Sequence, residues 1–218
     1  MPRSAPPKEC PGQPVLEPLK AGTVIFRVHL AKLKSGTLKG NTFNPTPAAS
    51  ASKGGRFDHT VPGEAFLYAG KTLEAAVAET LLRDLRVTPA PRRIPFKQVR
   101  GRMISRLRVE RALEMVSLHG KGLSQLGQDL WLTSCDPPDY PITRAWATAI
   151  RSWAPTAAGF VWRSRRQNDE LVYVFYESNV AETDFIVLDT CHADADRGLA
   201  QIRRILASHL AVLPQRRR

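Results

Sequence analysis

The sequence predicts an α+β fold in a single domain, and three observations point there. A chain of 218 residues suits one domain with a tail. Strand-like and helix-like stretches are mixed along it without the regular alternation that repeated βαβ units impose. No internal repeat, GxGxxG run or GxxxxGK[ST] run occurs, so a Rossmann nucleotide site and a P-loop both lack support.

The elements follow in order. The first twenty residues carry Pro2, Pro6, Pro7, Pro11, Pro14 and Pro18. Proline sustains neither a helix nor a central strand, so 1–20 reads as a flexible arm outside the domain. Order is expected from 22–29, a β-branched and aromatic run that reads as a strand. Residues 34–56 are rich in Gly, Asn, Pro, Ser and Thr. A loop that long within a domain is often a binding segment. A second short strand, 65–70, leads to Thr72 as the cap of a helix over 73–85. Its apolar stripe is Leu73, Ala76, Val77, Thr80 and Leu81. Residues 103–118 read as strand up to a turn at His119-Gly120, and 136–141 as a loop. A helix over 143–153 places Ala145, Trp146, Ala149 and Ile150 inward. Strands are expected at 159–164, at 171–176 (the most apolar of all) and at 185–188, and an amphipathic helix at 195–213. The domain thus spans 21–213, with a basic tail at 214–218.

Composition narrows the function. An apolar share of 43% and a charged share of 24% exclude wholesale disorder. No stretch approaches the ~18 consecutive apolar residues that a membrane helix needs. The first residues lack the apolar core of a secretory peptide. Cys10, Cys135 and Cys191 are too few and too scattered for a disulfide framework or a zinc site. A cytoplasmic, reduced protein is expected. Thirty-two Lys and Arg against twenty Asp and Glu give a net charge of +12. Such an excess calls for a polyanionic partner: nucleic acid, an acidic protein or a phosphate-bearing small molecule. Ten basic residues lie between Arg83 and Arg111 against two acids, yet Phe96 is the sole aromatic there to stack a base. A basic nucleic-acid-binding module is therefore an alternative that rests on charge alone.

Residues able to carry chemistry are scattered. His29, His59, His119, His192 and His209 form no metal-ligand spacing, and no GxSxG elbow supports a serine hydrolase. Neither a metal nor a bound cofactor is expected. What remains is Arg27 at the end of the first strand, Arg56 after Gly54-Gly55, Tyr68 before Gly70, Glu79 on the following helix, and Ser164 closing a strand. Each has an ordinary reading when taken singly. Glu79, for example, is spaced to pair with Arg83 across one helical turn.

Taken together they resemble a family. Phe26-Arg27-Val28, Gly54-Gly55-Arg56-Phe57 and Leu67-Tyr68-Ala69-Gly70 leading to Ala75-Ala76-Val77-Ala78-Glu79 come first. Asp139-Tyr140-Pro-Ile-Thr143-Arg144-Ala-Trp146-Ala147 and Gly159-Phe-Val-Trp-Arg-Ser164-Arg165 follow. In this order and spacing, over roughly 22–189, the chain resembles the RES domain toxins, partners of Xre-type antitoxins. Trp162-Arg163 stands where that family more usually has a tyrosine and a small residue.

The resemblance implies a mixed, twisted sheet flanked by helices, similar to ADP-ribosyltransferases. It also implies consumption of NAD+ as substrate, by hydrolysis or phosphorolysis of the nicotinamide–ribose bond. On that basis Arg27 and Arg56 hold the diphosphate, Tyr68 packs against the nicotinamide or ribose, Glu79 serves the reacting sugar, and Ser164 bonds the ligand. Transfer of ADP-ribose to a protein target is the alternative within the same chemistry. An antitoxin protein is the implied partner.

The residue types suit this chemistry in their own right. Nicotinamide leaves as a neutral pyridine, so no general acid is needed. The transition state is oxocarbenium-like, and a carboxylate near the ribose stabilises it. A diphosphate calls for planar, permanently charged forks, which arginine supplies. Tyrosine offers a flat face to a cationic ring.

Overall fold

The computed structural model describes residues 4–33, 36–45, 54–60 and 64–214. Strand β1 (Leu16–Leu19) is followed by β2 (Val24–Leu30), the short pair β3 (Lys32–Leu33) and β4 (Gly36–Thr37), and β5 (Phe66–Gly70). Helix α1 (Leu73–Val77) runs directly into a π-helical turn over Ala78–Leu82. The two-residue β6 (Arg92–Arg93) precedes β7 (Arg102–Val109) and β8 (Leu113–Ser117). Helices α2 (Lys121–Gln125) and α3 (Trp131–Ser134) lead to the longest helix, α4 (Tyr140–Trp153). Strands β9 (Gly159–Arg163), β10 (Leu171–Tyr176) and β11 (Phe185–His192), helix α5 (Asp196–Ser208) and β12 (Ala211–Val212) complete the order.

Eight strands form one sheet in the order β1-β8-β9-β10-β5-β2-β7-β11. Its pairs are antiparallel except β8 with β9, which are parallel, so the sheet is mixed and the fold is α+β, as expected. The apolar 171–176 run explains itself as β10, in the middle of the sheet. Alternate side chains of a strand face opposite ways, and here both faces are covered. Val172, Val174 and Tyr176 join Trp146, Phe160 and Trp162 in a core under α4, while Tyr173 and Phe175 join Ile25, Leu67, Leu107 and Phe185 on the other face. A third core gathers α1, the π turn and α5 around Ile104 and Val28. Among the described residues no helix is long and apolar enough to cross a membrane.

Several boundaries differ from the sequence reading. Strand β1 lies inside the proline-rich arm and pairs with β8 at the sheet edge. Pro18 is tolerated there because an edge strand has one unpaired side. Ahead of it, Ser4 O accepts a hydrogen bond from the Trp146 indole at 2.9 Å, and Lys8 O one from Trp153 at 3.4 Å. The arm is therefore laid along α4 rather than standing free of the domain. The run 103–118 divides into two strands that do not pair with each other: β7 pairs with β2 and β11, and β8 with β1 and β9. Helix α5 stops at Ser208, where Leu210 takes a positive φ of 50° and the chain turns into β12. Of the long loop, residues 34–35 and 46–53 lie outside the described residues, as do 215–218 of the basic tail.

Candidate active site

Strands β2 and β5 are neighbours in the sheet, but only Phe26 and Gly70 form a register pair. Each is fully engaged on its other side, β2 with β7 and β5 with β10. Between them lies a cavity of about 180 Å3. Arg27, Val28 and His29 line it from β2, Phe66 and Tyr68 from β5, Leu38 and Asn44 from the intervening loop, and Arg102 from β7. A chamber of about 30 Å3 adjoins it, shares Val28 and Tyr68, and is also lined by Glu79, Thr80 and Trp162.

Arg27 is buried in the middle of β2, not at its end. Its Nη1 donates to Gly40 O at 2.9 Å and Thr42 O at 2.6 Å, which ties the following loop over the cavity. Burial lowers its pKa to about 10, partly offset by Glu182, so the guanidinium stays charged at neutral pH. Arg102 donates from Nε to Gln98 O at 2.6 Å, and its pKa is lowered by burial and then by Arg83. Arg27 and Arg102 thus both line this cavity, and no carboxylate is among the described residues that line it.

Tyr68 stands between the two spaces. Its hydroxyl accepts from Phe57 N–H at 3.0 Å. Burial, and then the Asp58 carboxylate beside it, push the phenol pKa up and keep it protonated. Only glycine fits at position 55, since a Cβ there would come within 2.5 Å of Asp58 Oδ1 and 2.9 Å of the Tyr68 hydroxyl. That allows Gly55 N–H to donate to Asp58 Oδ2 at 2.6 Å.

Glu79 is carried by the π turn. Thr72 caps α1 as expected, its Oγ1 accepting from Ala75 N–H at 3.2 Å. The helix then widens over Ala78–Leu82, a distortion that is frequent at functional sites. Glu79 Oε1 accepts from Ser164 Oγ–H at 2.8 Å and from Arg165 N–H at 3.1 Å. Ser164 is fully buried, and its Oγ also accepts from Gln167 N–H at 3.3 Å. The surface pairing of Glu79 with Arg83 is not what forms, because Arg83 forks onto Asp84 with two contacts of 3.1 Å. Arg166 holds the far end of the π turn, donating to Leu82 O at 3.2 Å and to Leu85 O.

Arg56 is placed elsewhere. It is buried, donates from Nη2 to Cys135 O at 3.2 Å, and lies 5.4 Å from the centroid of the Tyr140 ring. Neither space is lined by it. Its backbone is gripped by α4, where Thr143 Oγ1 donates to Arg56 O at 2.7 Å and Arg144 Nε to Gly55 O at 3.0 Å. The fold therefore brings Glu79 and Ser164 into contact, sets Arg27 and Tyr68 in the adjoining cavity, and keeps Arg56 behind the 54–58 loop. Sequence reasoning missed His29, Arg102 and Trp162. Arg102 is one of ten similar cations in its stretch, and the sequence sets His29 apart from the other histidines by no spacing. Its ring is buried with Nε2 2.9 Å from Ser105 Oγ and Nδ1 2.9 Å from Leu30 O.

The chain shares its fold with a chain of the M. tuberculosis MbcT–MbcA toxin–antitoxin complex, at a TM-score of 0.57 and 13% sequence identity over 87% of this chain and 92% of that one. No curated protein matches the sequence. The family described as RES domain matches residues 25–196, well over half the chain and the whole stretch from Arg27 through Ser164. The chain belongs to the RES domain family.

Proposed function

We propose that this chain consumes NAD+ in the cytoplasm by breaking the nicotinamide–ribose bond, and that it is the toxin of a toxin–antitoxin pair. One observation carries the enzymatic part. Two guanidiniums with no carboxylate line one space, and a single carboxylate anchored by Ser164 and Arg165 N–H lines the next. NAD+ presents the complementary pair: an anionic diphosphate for Arg27 and Arg102, and a cationic ribosyl-nicotinamide for Glu79.

In the reaction the electron pair of the C1′–N bond leaves with nicotinamide, which departs neutral and needs no proton. The acceptor oxygen bonds to C1′ and releases its proton to solvent. Glu79 opposes the charge that develops on the ribose, and Tyr68 supplies a flat, protonated ring at the junction of the two spaces. Family membership, and a fold shared with a toxin–antitoxin complex, support the toxin role. A net charge of +12 suits an acidic antitoxin, expected to be of the Xre type, because opposite charge speeds encounter.

Incubating the purified chain with NAD+, with and without phosphate, tests the reading. Free nicotinamide with ADP-ribose indicates water as acceptor, ADP-ribose 1″-phosphate indicates phosphate, and labelled protein in an added lysate indicates transfer. Intact NAD+ together with salt-dependent binding of RNA or DNA favours the nucleic-acid alternative instead.

A further inference from the structure

The chain has four tryptophans, and three of their indole N–H groups are satisfied. Trp131 donates to Asp139 Oδ2 at 3.1 Å, Trp146 to Ser4 O and Trp153 to Lys8 O. Trp162 differs. Its side chain is 1% exposed, yet among the described residues Nε1 has no acceptor. Leaving a buried donor unpaired is costly, and proteins rarely do so without a reason. The ring is fixed by T-shaped contacts with Phe57 at 5.1 Å and Tyr68 at 6.2 Å, so it is not a side chain free to turn towards a partner.

Trp162 lines the chamber of about 30 Å3 that Glu79 also lines. That volume admits a single small polar group, of the size of one water oxygen. The remaining lining from Val28, Ala69, Ala76 and Val172 is apolar. Thr80 has already spent its hydroxyl proton on Ala76 O at 2.7 Å, and the Tyr68 hydroxyl, which accepts from Phe57 N–H, turns its own proton to the Asp58 carboxylate. Among the residues lining the chamber, Trp162 thus carries the one unused donor and Glu79 the one carboxylate. A carbonyl or phosphate oxygen matches the donor but is repelled by the carboxylate. A hydroxyl matches both, accepting from the indole while donating to the carboxylate.

We propose that this chamber is a hydroxyl-binding site in which Trp162 Nε1–H and Glu79 hold one O–H group between them. The inference rests on the NAD+ reading and deepens it. Two hydroxyls have this chemistry: the 2′-OH of the reacting ribose, whose hydrogen bonds strengthen as an oxocarbenium forms, and an acceptor water. In either case Trp162 is a specificity residue that touches the reacting sugar or its acceptor.

The test compares the wild-type chain with Trp162→Phe, which removes the N–H, using NAD+, its 2′-deoxy analogue on the nicotinamide side, and methanol as a competing acceptor. Melting curves confirm folding. The expected result with NAD+ is a fall in kcat/KM of about 5- to 10-fold, the scale of one lost hydrogen bond. If the 2′-OH is the occupant, the fall disappears with the deoxy analogue, because the variant then loses nothing further. If water is the occupant, the fall persists and the ratio of methyl ADP-ribose to ADP-ribose changes. An unchanged kcat/KM for NAD+ overturns the proposal. So does a fall that persists with the analogue while the acceptor ratio stays the same, since that marks lost packing only. Wild-type protein that leaves NAD+ intact overturns the functional reading itself, an outcome distinct from a failure of the variant alone.

Discussion

Replacing Glu79 by glutamine separates catalysis from folding in this site. The carboxylate accepts hydrogen bonds from Ser164 and from Arg165 N–H through a single oxygen, Oε1. The amide oxygen of glutamine accepts both in the same place, so the turn between β9 and β10 keeps its anchor. Each of the two bonds loses only its charge assistance, about 1 kcal/mol, and together they lower Tm by ~4–8 °C in a domain of this size. What disappears is the charge. A unit charge about 4 Å from a developing cation, at an effective dielectric near 20, is worth about 4 kcal/mol. That corresponds to a loss in turnover of ~10²–10³-fold, the scale seen when one preorganised electrostatic group is removed. With Arg27 and Arg102 proposed to bind the other end of the substrate, kcat should fall far more than KM changes. Steady-state release of nicotinamide, measured beside a thermal melt, gives both quantities. A folded Glu79→Gln variant with near-normal kcat refutes the assignment.

Three further outcomes follow from the geometry. Arg27→Lys keeps the charge but loses the fork that reaches Gly40 O and Thr42 O, so KM for NAD+ should rise about tenfold or more; an unchanged KM removes Arg27 from substrate binding. His29 has its pKa lowered from 6.5 to about 4, by burial first and then by Arg27. Below pH 6.5 the unfolded chain takes up a proton that the folded chain refuses. Stability is therefore complete above that pH and declines towards pH 4, by up to roughly 3 kcal/mol. His29→Gln should flatten this decline in urea titrations at pH 7 and pH 4.5, and an identical pH slope in the variant contradicts the account. Deleting residues 1–13 removes the acceptors of the Trp146 and Trp153 indoles and the packing of Cys10. A loss of about 2 kcal/mol, or ~4–8 °C in Tm, is expected; an unaltered melt shows that the arm contributes nothing to the domain.

The sequence was legible where one strong local pattern dominated. The apolar run of β10 could only be an interior strand, and Thr72 could only cap the helix it precedes. Less legible were features that depend on distant partners. Helical periodicity runs on through 73–85, but α-helix ends at Val77. The π turn beyond it is held by Arg166 and by Ser164, which lie more than eighty residues away. The prolines of the arm correctly exclude a helix there. They do not reveal that two indoles on α4 need the arm's carbonyls, or that β8 needs an edge partner. Arg27 reads as a strand-end cation because the β-branched run stops soon after it, at His29. In the fold it is an interior residue whose burial is offset by two backbone carbonyls. Arg56 and Arg27 look equivalent by residue type and by resemblance. Only the position of the 54–58 loop against α4 separates them, and no local pattern encodes that position. Trp162 stands out in the sequence only as a departure from the family's usual tyrosine; in the fold it is buried in the core. Its unpaired N–H is visible only once the neighbours of every indole are known.

The central claim is consumption of NAD+, and the most direct test is the cellular NAD+ level after induction of this chain, followed alongside growth. The account predicts that NAD+ falls as growth stops, and that Glu79→Gln, expressed to the same level, leaves both untouched. Growth arrest by the wild-type chain with NAD+ unchanged would contradict it.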